Sequence, residues 1–228
     1  METPARILLI NKPYSWSSFH VVKKIQFLLK SKLRNEGVQK PKPKVGHAGT
    51  LDPLATGLLI ICTGKETKNI EQYQAQEKEY TGTFFIGATT PCFDLEKEID
   101  ERFPIEHITA ELIESARQKF IGKIEQVPPL FSALKINGKR AYKLARAGAD
   151  VELKAREVEI KEFELTRIAL PEIDFRVVCS KGTYIRSLAR DFGLELNSGA
   201  HLTALCRTRI GEFKLSDAQT LEELAKEF

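Results

Sequence analysis

The chain has 228 residues, of which 42% are hydrophobic and 29% charged, and this describes an ordinary soluble globular protein with a substantial core. No apolar run is long enough to cross a bilayer, and residues 1–6 lack the regions of a signal peptide, so we expect a cytoplasmic protein with no membrane contact. The net charge is only +4, but residues 23–44 hold eight basic residues against the single acid Glu36. This basic arm predicts a polyanionic partner, with a solvated helix face and loop as the alternative.

The four cysteines and four histidines are dispersed along the chain, without a C-x-x-C pair. This spacing favours neither zinc ligation nor a disulfide framework. We therefore expect buried thiols, no metal and no cofactor.

The first half alternates short apolar runs with one long amphipathic pattern. The patterns predict, in order, a strand over 6–10, a helix capped by Ser17 or Ser18 and ending near 35–37, a mobile Lys/Pro-rich loop within 34–45, a strand over 58–62, a helix over 65–74 and a strand over 80–87.

The second half begins with an acidic, loop-like region over 89–102. The patterns then predict a helix over 109–120, a strand over 132–136 turning at 137–138, a helix over 139–147, strands over 158–168 and 173–179, a helix from Thr183, a strand over 208–215 and a closing helix from Asp217. Strands and helices mix without strict β-α-β alternation, which favours an α+β fold. No composition break indicates a second domain, so we expect one domain over 1–228.

The run from Gly46 to Gly57 carries the strongest functional signal. It contains three glycines, one proline and a single carboxylate, Asp52, directly before the apolar run 58–62. Glycines allow close backbone approach, and proline fixes a bend beside Asp52. The pattern is typical of a reactive group displayed against a core strand, although Asp-Pro between glycines is also ordinary turn chemistry.

Two further runs carry groups that suit an aspartate-based reaction. In the run 179–190, a predicted helix start precedes Arg186 and Arg190 on one face, which suits an anion or a carboxylate, with solvated arginines as the alternative. Tyr80 begins a strand and is either a core residue or an aromatic platform for a base. An ionised aspartate needs no separate base to act as a nucleophile. A glycosidase would need a second positioned carboxylate, and no phosphate-binding glycine loop is present.

Taken in order, these motifs resemble those of the TruB family of tRNA pseudouridine synthases. The resemblance covers about residues 6–215: the run 46–57 is similar to the family signature, and the other matches are Leu9-x-x-Lys12-Pro13, Lys78-x-Tyr80, the run 179–186 and a substrate-gripping insertion at 126–148. It implies a pseudouridine synthase fold, in which helices and loops flank a mixed, mostly antiparallel sheet with a central catalytic cleft.

The resemblance also implies a role for each matching residue. Asp52 would be the catalytic nucleophile, Arg186 would pair with it and Tyr80 would stack on the flipped uracil. Further substrate-binding positions are matched by His47, Tyr184, Leu205 and Lys12.

The implied substrate is uridine-55 in the T loop of tRNA, converted to pseudouridine by a monomeric enzyme. The family often adds a C-terminal RNA-binding PUA domain, which we expect this chain to lack, so that the 126–148 insertion and the basic 34–45 loop would share the tRNA contact. The alternatives are a non-catalytic tRNA-binding or tRNA-folding protein and a guide-dependent relative acting on other RNA.

Overall fold

The computed structural model describes residues 3–132, 134–136, 139–140 and 153–228. The chain forms two compact units, the first made of Met1–Tyr80 with Leu205–Phe228 and the second of Thr81–Ala204.

The elements are numbered in chain order. The helices are α1 (Ser18–Asn35), α2 (Ile70–Ala75), α3 (Ala110–Gln118), α4 (Ile185–Glu195) and α5 (Leu221–Ala225). The strands are β1 (Arg6–Lys12), β2 (Val45–His47), β3 (Thr56–Thr63), β4 (Lys78–Ile86), β5 (Ala88–Thr89), β6 (Glu101–Arg102), β7 (Gly122–Gln126), β8 (Lys135–Ile136), β9 (Lys139–Arg140), β10 (Arg156–Ala169), β11 (Glu172–Cys179), β12 (Ala200–Ile210) and β13 (Phe213–Lys214).

The first unit is organised around β3. This strand pairs antiparallel with β1 and β2, and parallel with β12. Because side chains alternate across a strand, β3 supplies two apolar clusters. Leu59 and Ile61 pack with residues of α1 and α5, whereas Leu58, Ile60 and Cys62 belong to a second cluster with Ile210. The strand that follows the Asp52 loop is therefore the centre of the core of this unit.

Helix α1 follows the sequence pattern closely. The Ser17 side chain accepts a hydrogen bond from the His20 amide and caps the helix, as one of the two predicted serines should. Its buried apolar side chains recur at helical spacing, and all but the last join the core beside β1 and β3: Val21, Val22, Ile25, Leu29 and Leu33.

The second unit contains an antiparallel arrangement in which β11 and β7 flank β10, with β4 on the other side of β11. Its interior is aromatic. The rings of Phe84 and Phe175 stack with centroids 4.1 Å apart, and Phe163 and Phe192 make edge-on or tilted contacts with this pair. Phe120 packs in turn against Phe163 and Phe192. This cluster joins the sheet to α4, the helix that carries Arg186.

The expected α+β class with a mixed, mostly antiparallel arrangement of strands is confirmed. Several element boundaries were wrong. The predicted helix 65–74 begins as a 3₁₀ segment over Gly64–Asn69, and α5 begins at Leu221. The single strand expected over 208–215 covers only the end of β12, which starts at Ala200, together with the short strand β13. Residues 139–140 form β9 rather than a helix, and residues 137–138 and 141–147 lie outside the described residues. The single-domain expectation stays a prediction.

Candidate active site

Asp52 lies in the loop between β2 and β3 of the first unit. Its neighbours Leu51 and Ala55 are buried, and the Ala55 amide donates to the Asp52 carbonyl at 3.1 Å. Gly49 and Gly57 both adopt a φ of +100°, a conformation that favours glycine. Two buried anchors and two glycine bends thus fix a half-buried carboxylate, in agreement with the sequence prediction for this loop.

The Lys12 side chain binds the backbone of this loop on one side. The side chain is 0% exposed, and its ammonium donates to three carbonyl oxygens, those of Pro13 at 3.0 Å, Trp16 at 2.6 Å and Pro53 at 3.2 Å. An ammonium group has three donors, so all of them are used. The structure therefore gives Lys12 a clear role as a support for the segment beside Asp52.

Burial governs the charge of Lys12. It lowers the pKa of the ammonium to about 8, against the opposing effect of the Asp52 carboxylate, and the cation of Arg207 lowers it further. Lys12 is still mostly protonated at neutral pH and stands in electrostatic contact with Asp52.

Arg207 holds the other side of the loop, a role that sequence reasoning missed. Its guanidinium, 1% exposed, donates to the carbonyls of Leu58 at 2.8 Å and Gly49 at 3.0 Å. Beside it, a Cβ placed on Gly57 would lie 2.3 Å from the Arg207 carbonyl oxygen, closer than any real contact. The parallel pairing of β12 with β3 therefore depends on glycine at 57. No local pattern marks Arg207, because its partners are far away in sequence.

Ser18 is a third support that was missed. Its hydroxyl accepts from the Leu51 amide at 2.8 Å and donates to the Leu51 carbonyl at 3.1 Å, and both residues are buried. Sequence reasoning considered Ser17 and Ser18 equally as helix caps. Because Ser17 is the cap, Ser18 is available to bind the residue next to Asp52.

His47 is the last residue of β2 and is half-buried in the first unit. Burial lowers its pKa, the charge of Arg207 lowers it further, and a hydrogen bond with the Gly49 backbone opposes both effects. The imidazole is therefore neutral at pH 7, which suits a hydrogen-bonding contact rather than a cationic one.

Tyr80 and Leu205 lie on neighbouring elements of the first unit. Tyr80 is a buried residue of β4, and Leu205 is half-buried in β12, two residues before Arg207. The Leu205 carbonyl accepts from the hydroxyl of Thr56, the first residue of β3, at 3.5 Å. The contacts of Tyr80 and Leu205 with a substrate stay predictions.

Arg186 lies in the second unit, at the start of α4. It is 3% exposed, and its guanidinium donates to the carbonyls of Cys92 at 3.1 Å and Phe131 at 2.9 Å. Nε lies 3.7 Å from Oδ2 of Asp94. The alternative of a solvated arginine is therefore wrong for Arg186. The sequence pattern of α4 is amphipathic, but most sides of the helix are buried, including the side that carries Arg186.

Asp94 is the residue of this cluster that the sequence did not reveal. It is buried, its Oδ1 accepts from the Glu96 amide at 3.0 Å, and its carbonyl accepts from the Thr90 hydroxyl at 2.7 Å. A buried carboxylate beside a buried guanidinium keeps the charge of both groups compensated. It was assigned to a loop-like acidic stretch, where nothing distinguishes it from its exposed acidic neighbours.

Tyr184 is held by Gln126, the first residue of the predicted insertion. The Gln126 side chain accepts from the Tyr184 amide at 2.8 Å and donates to its carbonyl at 3.1 Å. Both backbone polar groups of Tyr184, the residue that precedes α4, are therefore bound by one glutamine side chain. Of the 126–148 insertion, residues 133, 137–138 and 141–148 lie outside the described residues.

The sequence-predicted residues thus divide between the two units. The first holds Lys12, Asp52 and His47 around a fixed loop, together with Tyr80 and Leu205, and the second holds Tyr184 and Arg186. The pairing of Arg186 with Asp52 stays a prediction. Within the described ranges, no three His, Cys, Asp or Glu residues are placed to hold a metal ion, and no helix there has the length and apolarity needed to cross a membrane.

Two family models match the chain. The N-terminal domain of the TruB family of pseudouridylate synthases matches residues 34–185, and the C-terminal domain of tRNA pseudouridylate synthase B matches residues 186–228.

Individual relatives agree with this match. The chain is 61% identical to the tRNA pseudouridine synthase B of Flavobacterium johnsoniae over 93% of this chain and 91% of the relative, and 62% identical to that of Phocaeicola vulgatus over 95% and 90%. Among solved structures it resembles a chain of a Cbf5-Nop10-Gar1 complex, with a TM-score of 0.70 and 28% identity over 96% of this chain and 53% of that one.

Proposed function

Because the chain belongs to the TruB family of pseudouridylate synthases, we propose that it converts a uridine of tRNA to pseudouridine, and that the target is uridine-55 of the T loop. The observation that carries this proposal is the identity of 61–62% to relatives named tRNA pseudouridine synthase B over nearly their whole length. The solved structures titled as H/ACA or Cbf5 complexes are only 25–28% identical, so a guide-dependent reaction on other RNA has less support.

The reaction is an isomerisation. The bond between N1 of uracil and C1′ of ribose breaks, the base turns, and a bond forms between C5 and C1′. The proton on C5 is released and N1 gains one, so the reaction consumes no oxidant, cofactor or net water. Asp52 would act as the nucleophile, either at C1′ or on the uracil ring, and both routes need the carboxylate in a fixed position.

The loop contacts support this assignment of Asp52. Lys12, Ser18 and Arg207 all bind main-chain groups of the loop or its flanking residues, so the backbone that carries the carboxylate is held in a fixed position. A nucleophile held in this way loses little freedom when the substrate arrives, which lowers the entropic cost of the reaction.

The remaining site residues would act on the flipped nucleotide. A stacked uridine hides its reacting atoms, so the base must leave the stack. Tyr80 would stack on the uracil, Arg186 would pair with Asp52, and Asp94 would keep Arg186 in place. Lys12 would support the loop, and the other positions would contact the substrate: His47, Tyr184 and Leu205.

We expect the tRNA to be recognised by the shape of its T arm, as is usual for structured RNA. The 126–148 insertion and the basic 34–45 loop would provide part of the contact, and the enzyme would act as a cytoplasmic monomer. If the lysines of the loop are neutralised and neither tRNA affinity nor its salt dependence changes, the role of the loop is refuted.

Mapping of pseudouridine in unmodified tRNA by carbodiimide treatment and primer extension tests the function. The wild type should produce one stop, at the T-loop uridine. Asp52→Asn should bind tRNA and produce none, whereas Asp217→Asn, which changes an exposed carboxylate of the same unit, should behave as wild type. Retained conversion by Asp52→Asn would refute the nucleophile. Binding without any conversion by the wild type would favour the non-catalytic alternative.

A further inference from the structure

The solvent side of α1 carries an unusual row of side chains. Phe19, Lys23, Phe27, Lys30 and Arg34 recur at intervals of three and four residues, which places them on one side of the helix. We call this row the α1 outer face. Phe19 and Phe27 are 59% and 64% exposed, and the Lys23 ammonium lies 5.1 Å from the centre of the Phe19 ring.

The exposed rings of Phe19 and Phe27 are not part of the apolar core of the first unit. The buried side chains of α1 point in the opposite direction, into the cluster with β1 and β3. Two phenylalanines on a face that is otherwise cationic make no contribution to that cluster. Alternating cations and aromatic rings are the pattern by which proteins hold RNA, through phosphate contacts and base stacking.

All of the charged side chains of α1 are basic. Its eighteen residues include four lysines and one arginine and no acidic residue. Exposed lysines continue beyond the helix at Lys40, Lys42 and Lys44. A cationic track of this length is complementary to a polyanion and would concentrate one near the protein.

The position of the helix relates this track to Asp52. The first residue of α1, Ser18, is bonded to Leu51, which directly precedes Asp52. From Phe19 to Arg34 the face runs for roughly 22 Å at 1.5 Å per residue. The α1 outer face therefore starts beside the loop of the proposed nucleophile and leads away from it within the same compact unit.

We propose that the α1 outer face binds the sugar-phosphate backbone of the substrate tRNA outside the target nucleotide, with the two phenylalanine rings in contact with unpaired bases. This inference rests on the proposed function, since it takes tRNA as the polyanion. The face adds affinity and does not touch the reacting atoms.

The test is the binding of a tRNA transcript by the triple variant Lys23→Gln, Lys30→Gln, Arg34→Gln at several salt concentrations. Loss of three phosphate contacts should reduce the slope of log affinity against log salt by about three, so that wild type and variant converge at high salt. The matched control is Lys97→Gln, Lys214→Gln, Lys226→Gln, which removes the same charge from exposed lysines elsewhere and should change the slope little. All six side chains are solvent-exposed, so thermal melting should be unchanged.

A second variant separates stacking from charge. Phe27→Ala should weaken tRNA binding about fivefold or more at every salt concentration, because stacking is not screened. Conversion at saturating tRNA should keep the wild-type kcat in Phe27→Ala, because this exposed ring lies outside the proposed catalytic residues. If wild type binds tRNA but forms no pseudouridine, the proposed function fails while the binding test still decides the role of the face. Equal slopes for the triple variant and its control overturn the inference. A triple variant that binds tRNA as wild type does, but binds anionic lipid vesicles less tightly, overturns it as well.

Discussion

The buried ammonium of Lys12 gives a quantitative prediction about pH. Its pKa falls from 10.5 to about 8 on burial, which corresponds to about 3.4 kcal/mol between its charged and neutral forms. Between these two pKa values the unfolded chain holds a proton that the folded chain has released. Stability contributed by this group therefore rises with pH through this window, and it is lost as the pH falls through about 8.

The measurement is urea unfolding of wild type and Lys12→Met from about pH 7 to about pH 9.5. Over this range wild type should gain about 2 kcal/mol relative to the variant, which cannot titrate at this position. At pH 7 the variant loses hydrogen bonds to three carbonyls but is relieved of a buried charge, and these effects oppose each other. The pH dependence is therefore the diagnostic quantity, not the absolute difference.

The control is Lys214→Met, at a lysine that solvent reaches in the folded and the unfolded chain alike. Its stability should run parallel to that of wild type at every pH. If Lys12→Met also runs parallel to wild type, the ammonium is not desolvated in the folded protein and the electrostatic reasoning about Lys12 and Asp52 is wrong.

Three further substitutions test the supports of the site. Gly57→Ala should cost at least about 2 kcal/mol in urea unfolding, because φ is positive there and the new Cβ would meet the Arg207 backbone; an unchanged midpoint would contradict this. Arg207→Lys should lower the rate of tritium release from C5-labelled tRNA with little change in tRNA affinity, since one ammonium cannot reach all of the carbonyls that the guanidinium binds, and a wild-type rate would refute the role. Asp94→Asn should destabilise the chain by about 1–3 kcal/mol and slow the same release, because the buried Arg186 loses its compensating charge; loss of tRNA affinity alone would point elsewhere.

The sequence predicted the elements whose causes are local. The cap at Ser17, the spacing of buried residues in α1 and the apolar run of β3 are all determined by residues within one element, and each was found. The Asp52 loop was also predicted, because its glycines and its proline are recognisable in the sequence of the loop itself. The strand β12 was placed too late, since His201 and Arg207 are buried polar residues within it and break the apolar pattern.

The supports of the site were not predictable for a related reason. Asp94 contacts Arg186 across 92 positions of the chain, and Arg207 contacts Gly49 across 158. In both cases the partners of the guanidinium are mostly backbone carbonyls, which every residue type possesses. The composition of a segment therefore does not show that an arginine binds it. Only the folded chain shows which arginine binds the backbone of which loop.

The reach of Arg207 has a consequence for synthesis of the chain. Asp52 and the residues around it are made about 150 positions before the arginine that binds the backbone on both sides of them. At roughly 5–20 residues per second, the ribosome needs about 8–30 s to cover that interval. During this time Lys12 and Ser18 are present but the third support is not. The nascent chain thus carries its reactive carboxylate well before the backbone around it can be fully held, and the third support becomes available only after Arg207 has been made.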